Sequence, residues 1–144
     1  MDEALLVKFF EEQIPFNKHL GMKVERLEEG GVRLRVPFAD HLVGDPFRPA
    51  LHGGVTSALA DAAGGLAVFA RVGLLTCRVA TVDLRVDYYL PARLCDVVAE
   101  AEVVRIGNRV GVARILVRQQ GDDGLLGEPI AEGKGVYSII KLRG

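Results

Sequence analysis

Gly53-Gly54-Val55-Thr56-Ser57-Ala58-Leu59-Ala60-Asp61-Ala62-Ala63-Gly64-Gly65-Leu66-Ala67-Val68-Phe69-Ala70-Arg71, preceded by His52, is the one stretch of this chain that reads as a long helix. Val55, Leu59, Ala62, Leu66 and Phe69 recur at intervals of three and four and define an apolar face. Gly64 and Gly65 each cost about 1 kcal/mol of helix propensity relative to alanine. A glycine pair inside an alanine-rich helix predicts close approach by another element, a kink being the alternative. Asp61 is the sole charged residue between His52 and Arg71. A carboxylate in such surroundings is costly unless it is paired or functional, or lies on the outer side of a surface helix.

Working outward, residues 2–14 read as a short amphipathic helix with Leu5, Leu6, Phe9, Phe10 and Ile14 on one stripe, ended by Pro15. Residues 22–38 read as a hairpin turning at Glu29-Gly30-Gly31. Ala39–Leu51, with Gly44, Pro46 and Pro49, has no period and reads as a loop. Beyond the long helix the pattern is strands over Thr76–Tyr89, Cys95–Ile106, Gly111–Gln120 and Ile130–Ile140. Their short links favour an antiparallel meander. One helix cannot cover both faces of a five- to six-stranded sheet, so the sheet must curl around it or turn its other face to solvent or a partner. The class is α+β, in one domain spanning 1–144.

Composition narrows the function. The chain has 144 residues, 49% of them hydrophobic, and a formal net charge of −1. That excludes general disorder, and no basic balance favours a nucleic-acid partner. Cys77 and Cys95 read as reduced, buried thiols rather than a disulfide framework. With only His19, His41 and His52 beside them, a thiolate metal site is not expected. The longest apolar run is interrupted by Asp61 and rich in Gly and Ala, so no membrane span is expected. No leader pattern is visible, and a cytoplasmic location is the expectation.

The chemistry is expected at the helix start. Backbone N–H groups there are unsatisfied, the dipole favours negative charge, and Gly53 has no side chain to block approach. Gly53 N–H is a candidate oxyanion donor for acyl transfer; a glycine start required only by packing is the alternative. Asp61 lies eight residues on, about 12 Å along the axis. A carbonyl held by Gly53 N–H is therefore out of reach of Asp61 in the same chain. Both serve one site only if a second subunit presents one of them, as two antiparallel helices in a two-fold dimer would.

The His-Gly-Gly motif followed by six residues and Asp, within Leu42–Ala70, resembles the hotdog-fold thioesterases, and within them the phenylacetate-pathway subgroup. Ala80-Thr81-Val82-Asp83, Tyr88-Tyr89-Leu90-Pro91-Ala92 and Glu132-Gly133-Lys134-Gly135 are also similar to that family, so the likeness runs from about residue 21 to 140. The resemblance implies a curved antiparallel sheet wrapped around one long central helix, a dimer or dimer of dimers, and hydrolysis of acyl-CoA without a cofactor. It implies that Gly53 N–H polarises the thioester carbonyl and that Asp61 of the other subunit is general base or nucleophile. His52 would orient the thioester or the loop, and Thr81 would hold the attacking water. Relatives often carry Asn near Gly44-Asp45-Pro46. Asp45 can only accept when ionised, so it would share that role only if protonated.

Coenzyme A phosphates would want positive charge. Arg105, Arg109, Arg114 and Arg118 are the candidates, Arg109 at a hairpin tip foremost; a solvated face is the alternative. Leu59, Leu66 and Phe47 are candidates for the acyl pocket, and the outer face of 97–118 for a second interface. A hotdog hydratase or dehydratase using His52 and Asp61, a non-catalytic acyl-thioester binder and a structural module are the competing readings.

Overall fold

The computed structural model describes residues 2–73 and 75–144. The N-terminal segment is not one helix. Helix α1 (Glu3–Lys8) is capped by the Asp2 side chain, runs into a π-helical turn at Phe9–Gln13, and is followed by α2 (Pro15–Leu20). Pro15 opens α2 instead of merely ending α1, because a proline at the first helical position gives up an N–H that has no partner there anyway. Gly21 closes α2 in the left-handed conformation (φ 69°).

Strands β1 (Lys23–Glu28) and β2 (Gly31–Val36) form the expected hairpin, with Gly30 at φ 82° in the turn. The stretch read as loop holds a short 3₁₀ turn at Asp40–Leu42 and a small ladder of β3 (Val43–Asp45) with β4 (Ala50–Leu51). That ladder is too short to leave a periodic signature. Helix α3 spans Gly53–Val72. Then come β5 (Cys77–Tyr88), β6 (Val97–Ile106), β7 (Val110–Arg118) and β8 (Ala131–Lys141).

The six long strands form one antiparallel sheet in the order β1-β2-β6-β7-β8-β5. Only β6-β7-β8 is a true meander. The link through Pro91 carries the chain across the sheet, so β5 lies at the far edge beside β8. The sheet curves around α3, which contacts all of its strands but is flanked on one side by α1 and α2. This is the hotdog arrangement. Leu59, Ala60, Ala63, Ala67 and Val68 are fully buried, so α3 is enclosed well beyond the single face its periodicity marks. Among the described residues α3 alone is long and apolar enough to cross a membrane, and here it is the core helix. Cys77 is buried and Cys95 only partly so; both are free thiols.

The glycine pair receives Tyr137 of β8. A Cβ on Gly64 would lie 2.9 Å from Cζ and 3.1 Å from Cε2 of that ring, while one on Gly65 would meet Cε1 at 3.4 Å. Gly64 thus admits the largest fully buried side chain among the described residues. The close approach expected at this pair is made by one residue.

Candidate active site

His52 ends an extended segment and caps α3: its Nδ1 accepts the Gly54 N–H at 2.8 Å. An accepting Nδ1 leaves Nε2 to carry the proton of the neutral ring. The His52 N–H donates to the Leu42 carbonyl at 2.8 Å, which ties the helix start to the preceding loop. Gly44 packs so close to His52 that a Cβ on it would lie 2.5 Å from His52 Cα. The Val55 N–H is taken by the His52 carbonyl. Gly53 N–H has no protein acceptor among the described residues, and Gly53 is exposed. It is an available donor at the positive end of a 20-residue helix.

Tyr88 holds this turn from the sheet. Its hydroxyl donates to the Gly53 carbonyl at 2.7 Å and is hydrogen-bonded to Ser57 Oγ. Further along α3, Asp61 Oδ1 accepts from Thr81 Oγ1 at 2.8 Å. Thr81 and Tyr88 are seven residues apart on β5, an odd separation that puts side chains on opposite faces of a regular strand. Both face α3 because Val82 is the extra residue of a bulge: pairing passes from Thr81 with Tyr137 to Asp83 with Val136. Before the bulge odd-numbered residues face the helix, and after it even-numbered ones do. One strand therefore reaches both the Gly53 start of α3 and its Asp61 turn.

Tyr137 braces the helix at Asp61 by donating its hydroxyl to the Asp61 carbonyl at 3.0 Å. Burial, and after it the neighbouring Asp61 carboxylate, push this phenol far above the ordinary tyrosine range, so it stays a donor. Asp61 itself is only half-buried and lies in the wall of a cleft of about 290 Å³ between α1–α2, α3 and β5. A second cleft, about 360 Å³, opens beside Gly53 and Tyr88. Gly53 and Asp61 lie two helical turns apart in one continuous helix, as the spacing requires.

Residues 49–125 match the family profile described as the thioesterase superfamily. The chain belongs to the thioesterase superfamily. Among curated relatives, a candidate esterase of Halobacterium salinarum is 38% identical over 97% of this chain and 94% of its own length. A medium/long-chain acyl-CoA thioesterase of Escherichia coli, YigI, is 34% identical over 77% of this chain and 79% of its own. Among solved structures, a thioesterase family protein from Silicibacter pomeroyi superposes with a TM-score of 0.86 at 27% identity, covering 96% of this chain and 98% of that one. A Shewanella oneidensis protein related to the same superfamily gives 0.79 at 30%, covering 94% and 93%. The chemistry of this thioesterase-superfamily protein is accordingly of the acyl-thioester hydrolase class.

The other sequence candidates are dispersed. Asp45 Oδ1 accepts the N–H groups of Phe47 (2.9 Å) and Arg48 (3.0 Å) and organises the turn ahead of β4, outside the cleft that holds Asp61. Arg114 pairs with Glu102 at 2.7 Å on the outer sheet face, away from α3. Arg118 and Arg33 both reach Glu100 on that face, at 3.5 and 2.9 Å, so a ladder of ion pairs covers it. Arg105 is exposed past a bulge in β6. The Arg109 carbonyl accepts from Ile139, whose β5 partner Val79 lines the Asp61 cleft. Arg109 itself is exposed and lines a separate cleft with Asn108, Ser138 and Lys141, not the one that holds Asp61. Phe47 is 93% exposed and outside both the Asp61 and the Gly53 clefts, and Leu59 is sealed in the core; of the three acyl-pocket candidates only Leu66 lines the Asp61 cleft. Tyr88, Ser57 and Tyr137 are site residues that sequence reading missed. Tyr88 falls in the segment Thr76–Tyr89 that reads as a strand, but nothing local signals that its hydroxyl reaches a helix terminus.

Proposed function

We propose that the protein hydrolyses acyl-CoA thioesters at a site shared between two subunits. Gly53 N–H of one subunit polarises the thioester carbonyl, and Asp61 of the other activates water or attacks directly. The observation that carries this reading is the pairing, on one helix, of an unengaged N-terminal amide with a carboxylate about 12 Å further along that faces an apolar cleft. Thr81, already donating to Asp61, fixes the carboxylate and offers its oxygen to the water. His52 and Tyr88 hold the first turn of α3 from the loop and the sheet. Asp45 acts through the turn it organises, and Arg109 is preferred over Arg105 and Arg114 for the CoA phosphates.

The second copy is proposed to dock along β5. This strand is 12 residues long, forms an edge of the sheet, and exposes most of its length, Val82 at 64%. A long exposed edge is a hazard unless something covers it. Two chains related by a two-fold axis there would bring each Asp61 toward the partner's helix. A dimer of dimers would need a further contact, and the charged outer face does not favour it. The Escherichia coli relative acts on medium- and long-chain acyl-CoA, and the same substrate class is proposed here. Closer kinship with the phenylacetate-pathway subgroup rests on the His52-Gly53-Gly54 and Asp61 motif.

The test is thiol release from acyl-CoA thioesters of graded length, with light scattering on the same samples. Asp61→Asn is expected to lose at least about 100-fold in kcat while remaining a dimer. Unchanged turnover in that variant, or a fully active monomer, would refute the proposal.

A further inference from the structure

The N-terminal segment 3–20 closes the side of α3 that the sheet leaves open. It is fastened to the β1 edge: Glu11 accepts the Val24 N–H at 2.8 Å and lies 3.6 Å from Lys23 Nζ. Buried Asn17 donates to the Phe10 carbonyl at 3.1 Å, tying α2 to the π-helical turn, where a wider backbone leaves carbonyls in need of donors. Phe16 stacks on His19, which in turn contacts His41 ahead of β3. The segment is thus anchored at several points.

Its underside forms one wall of the Asp61 cleft. Four of the chain's six phenylalanines line that cleft, Phe9, Phe10 and Phe16 from this segment and Phe69 from α3. Leu6 and Leu66, 1% and 3% exposed, lie at its buried end, while Phe16, 58% exposed, stands at its rim. The polar groups are Asp61 and Thr81 on one side, with Asn17 and the Tyr137 hydroxyl already engaged. An apolar cavity with its carboxylate and hydroxyl on one wall suits a chain whose reactive end is polar and whose tail is not.

We infer that residues 3–20 form the roof of the acyl-binding pocket and set the length of the acyl chain, favouring unbranched chains on the order of ten carbons. This rests on the hydrolase reading above. The volume of about 290 Å³ corresponds to roughly ten groups of the size of water or methylene at about 30 Å³ each. Each methylene that enters raises kcat/KM about four-fold until the buried end is reached.

The experiment measures kcat/KM over straight-chain acyl-CoA from four to sixteen carbons for wild type, Phe9→Ala and Ala62→Leu. Both positions line the cleft and neither is fully buried, so both variants are expected to fold. Phe9→Ala moves the optimum to longer chains and Ala62→Leu to shorter ones, each by about two carbons or more. Profiles that superimpose on wild type, while hydrolysis still requires Asp61, overturn the roof assignment and leave the hydrolase reading standing. If the wild type cleaves no acyl-CoA, the hydrolase reading fails, and calorimetric titration with decanoyl-CoA decides the pocket by itself. Binding that Ala62→Leu weakens about ten-fold supports the assignment, and binding that neither substitution changes, or no binding, overturns it.

Discussion

Gly53→Pro tests the oxyanion assignment with little collateral damage. Gly53 is the first residue of α3, and its N–H has no protein acceptor among the described residues. Proline is favoured at that position, where the missing N–H costs nothing and the fixed φ is helical. The residue before a proline must be extended, and His52 already is, at φ −59° and ψ 130°. The substitution therefore deletes one donor and leaves the helix in place, with stability changed by no more than about 1 kcal/mol. Losing one oxyanion donor costs about 10²–10³ in kcat. Gly53→Ala is the control: it keeps the N–H, and its Cβ would sit 3.6 Å from the Tyr88 ring, an ordinary contact. The assay is thiol release at saturating acyl-CoA, with melting curves to verify folding. Co-expression of Gly53→Pro with Asp61→Asn adds a geometric test. In the mixed dimer one of two sites combines an intact Gly53 with an intact Asp61, so the statistical mixture regains about a quarter of wild-type activity. A Gly53→Pro enzyme with wild-type kcat would show that this amide is not the donor. A mixture no more active than its parents would show that the two groups do not meet across subunits.

Two further outcomes follow from Tyr137 and the glycines it packs against. Gly64→Ala gains about 1 kcal/mol of propensity but drives a Cβ into a ring that cannot move, at a cost of about 1–3 kcal/mol, and endangers a hydrogen bond contributing about 1 kcal/mol; the melting temperature should fall by several degrees, whereas Gly65→Ala should leave it unchanged or higher. Equal melting temperatures for the two variants would contradict the packing described for Tyr137. The raised Tyr137 value means that the folded state holds this proton more tightly than the unfolded chain, so its contribution is complete below about pH 10 and is lost as pH climbs from there toward the folded value. Tyr137→Phe should accordingly be less stable at neutral pH yet show a shallower alkaline loss, measured by denaturant titration between neutral pH and pH 11; parallel alkaline slopes would contradict it.

Much of the fold was legible because its signals are local. The length of α3, the four late strands and the first hairpin follow from periodicity and turn chemistry. The glycine pair pointed to a close neighbour or a kink, and the Tyr137 ring against Gly64 and Gly65 makes it the neighbour. Asp61 stood out because an isolated carboxylate in an apolar run is costly, and its neighbour Thr81 was reached through family likeness and not through spacing. The small β3–β4 ladder and the two-part N-terminal segment escaped because each element is too short to show a period. Arg114 looked available in sequence, but alternation along β7 puts it on the outer face, where Glu102 across the strand pair takes it.

By itself the sequence determined which residues form the enclosed helix and that the Gly53 amide and the Asp61 carboxylate lie about 12 Å apart along it, too far for one helix to bring both to a single carbonyl. Helical rise and burial cost depend only on neighbours along the chain. The tertiary structure decided that β5 crosses to the far edge, that the Val82 bulge turns Thr81 and Tyr88 toward the same helix, and that side chains from residues 6–17 wall the Asp61 cleft. Those depend on which strand pairs with which and where the ladder bulges, and β5 and β8 are distant in sequence with no tight turn between them to fix that choice locally.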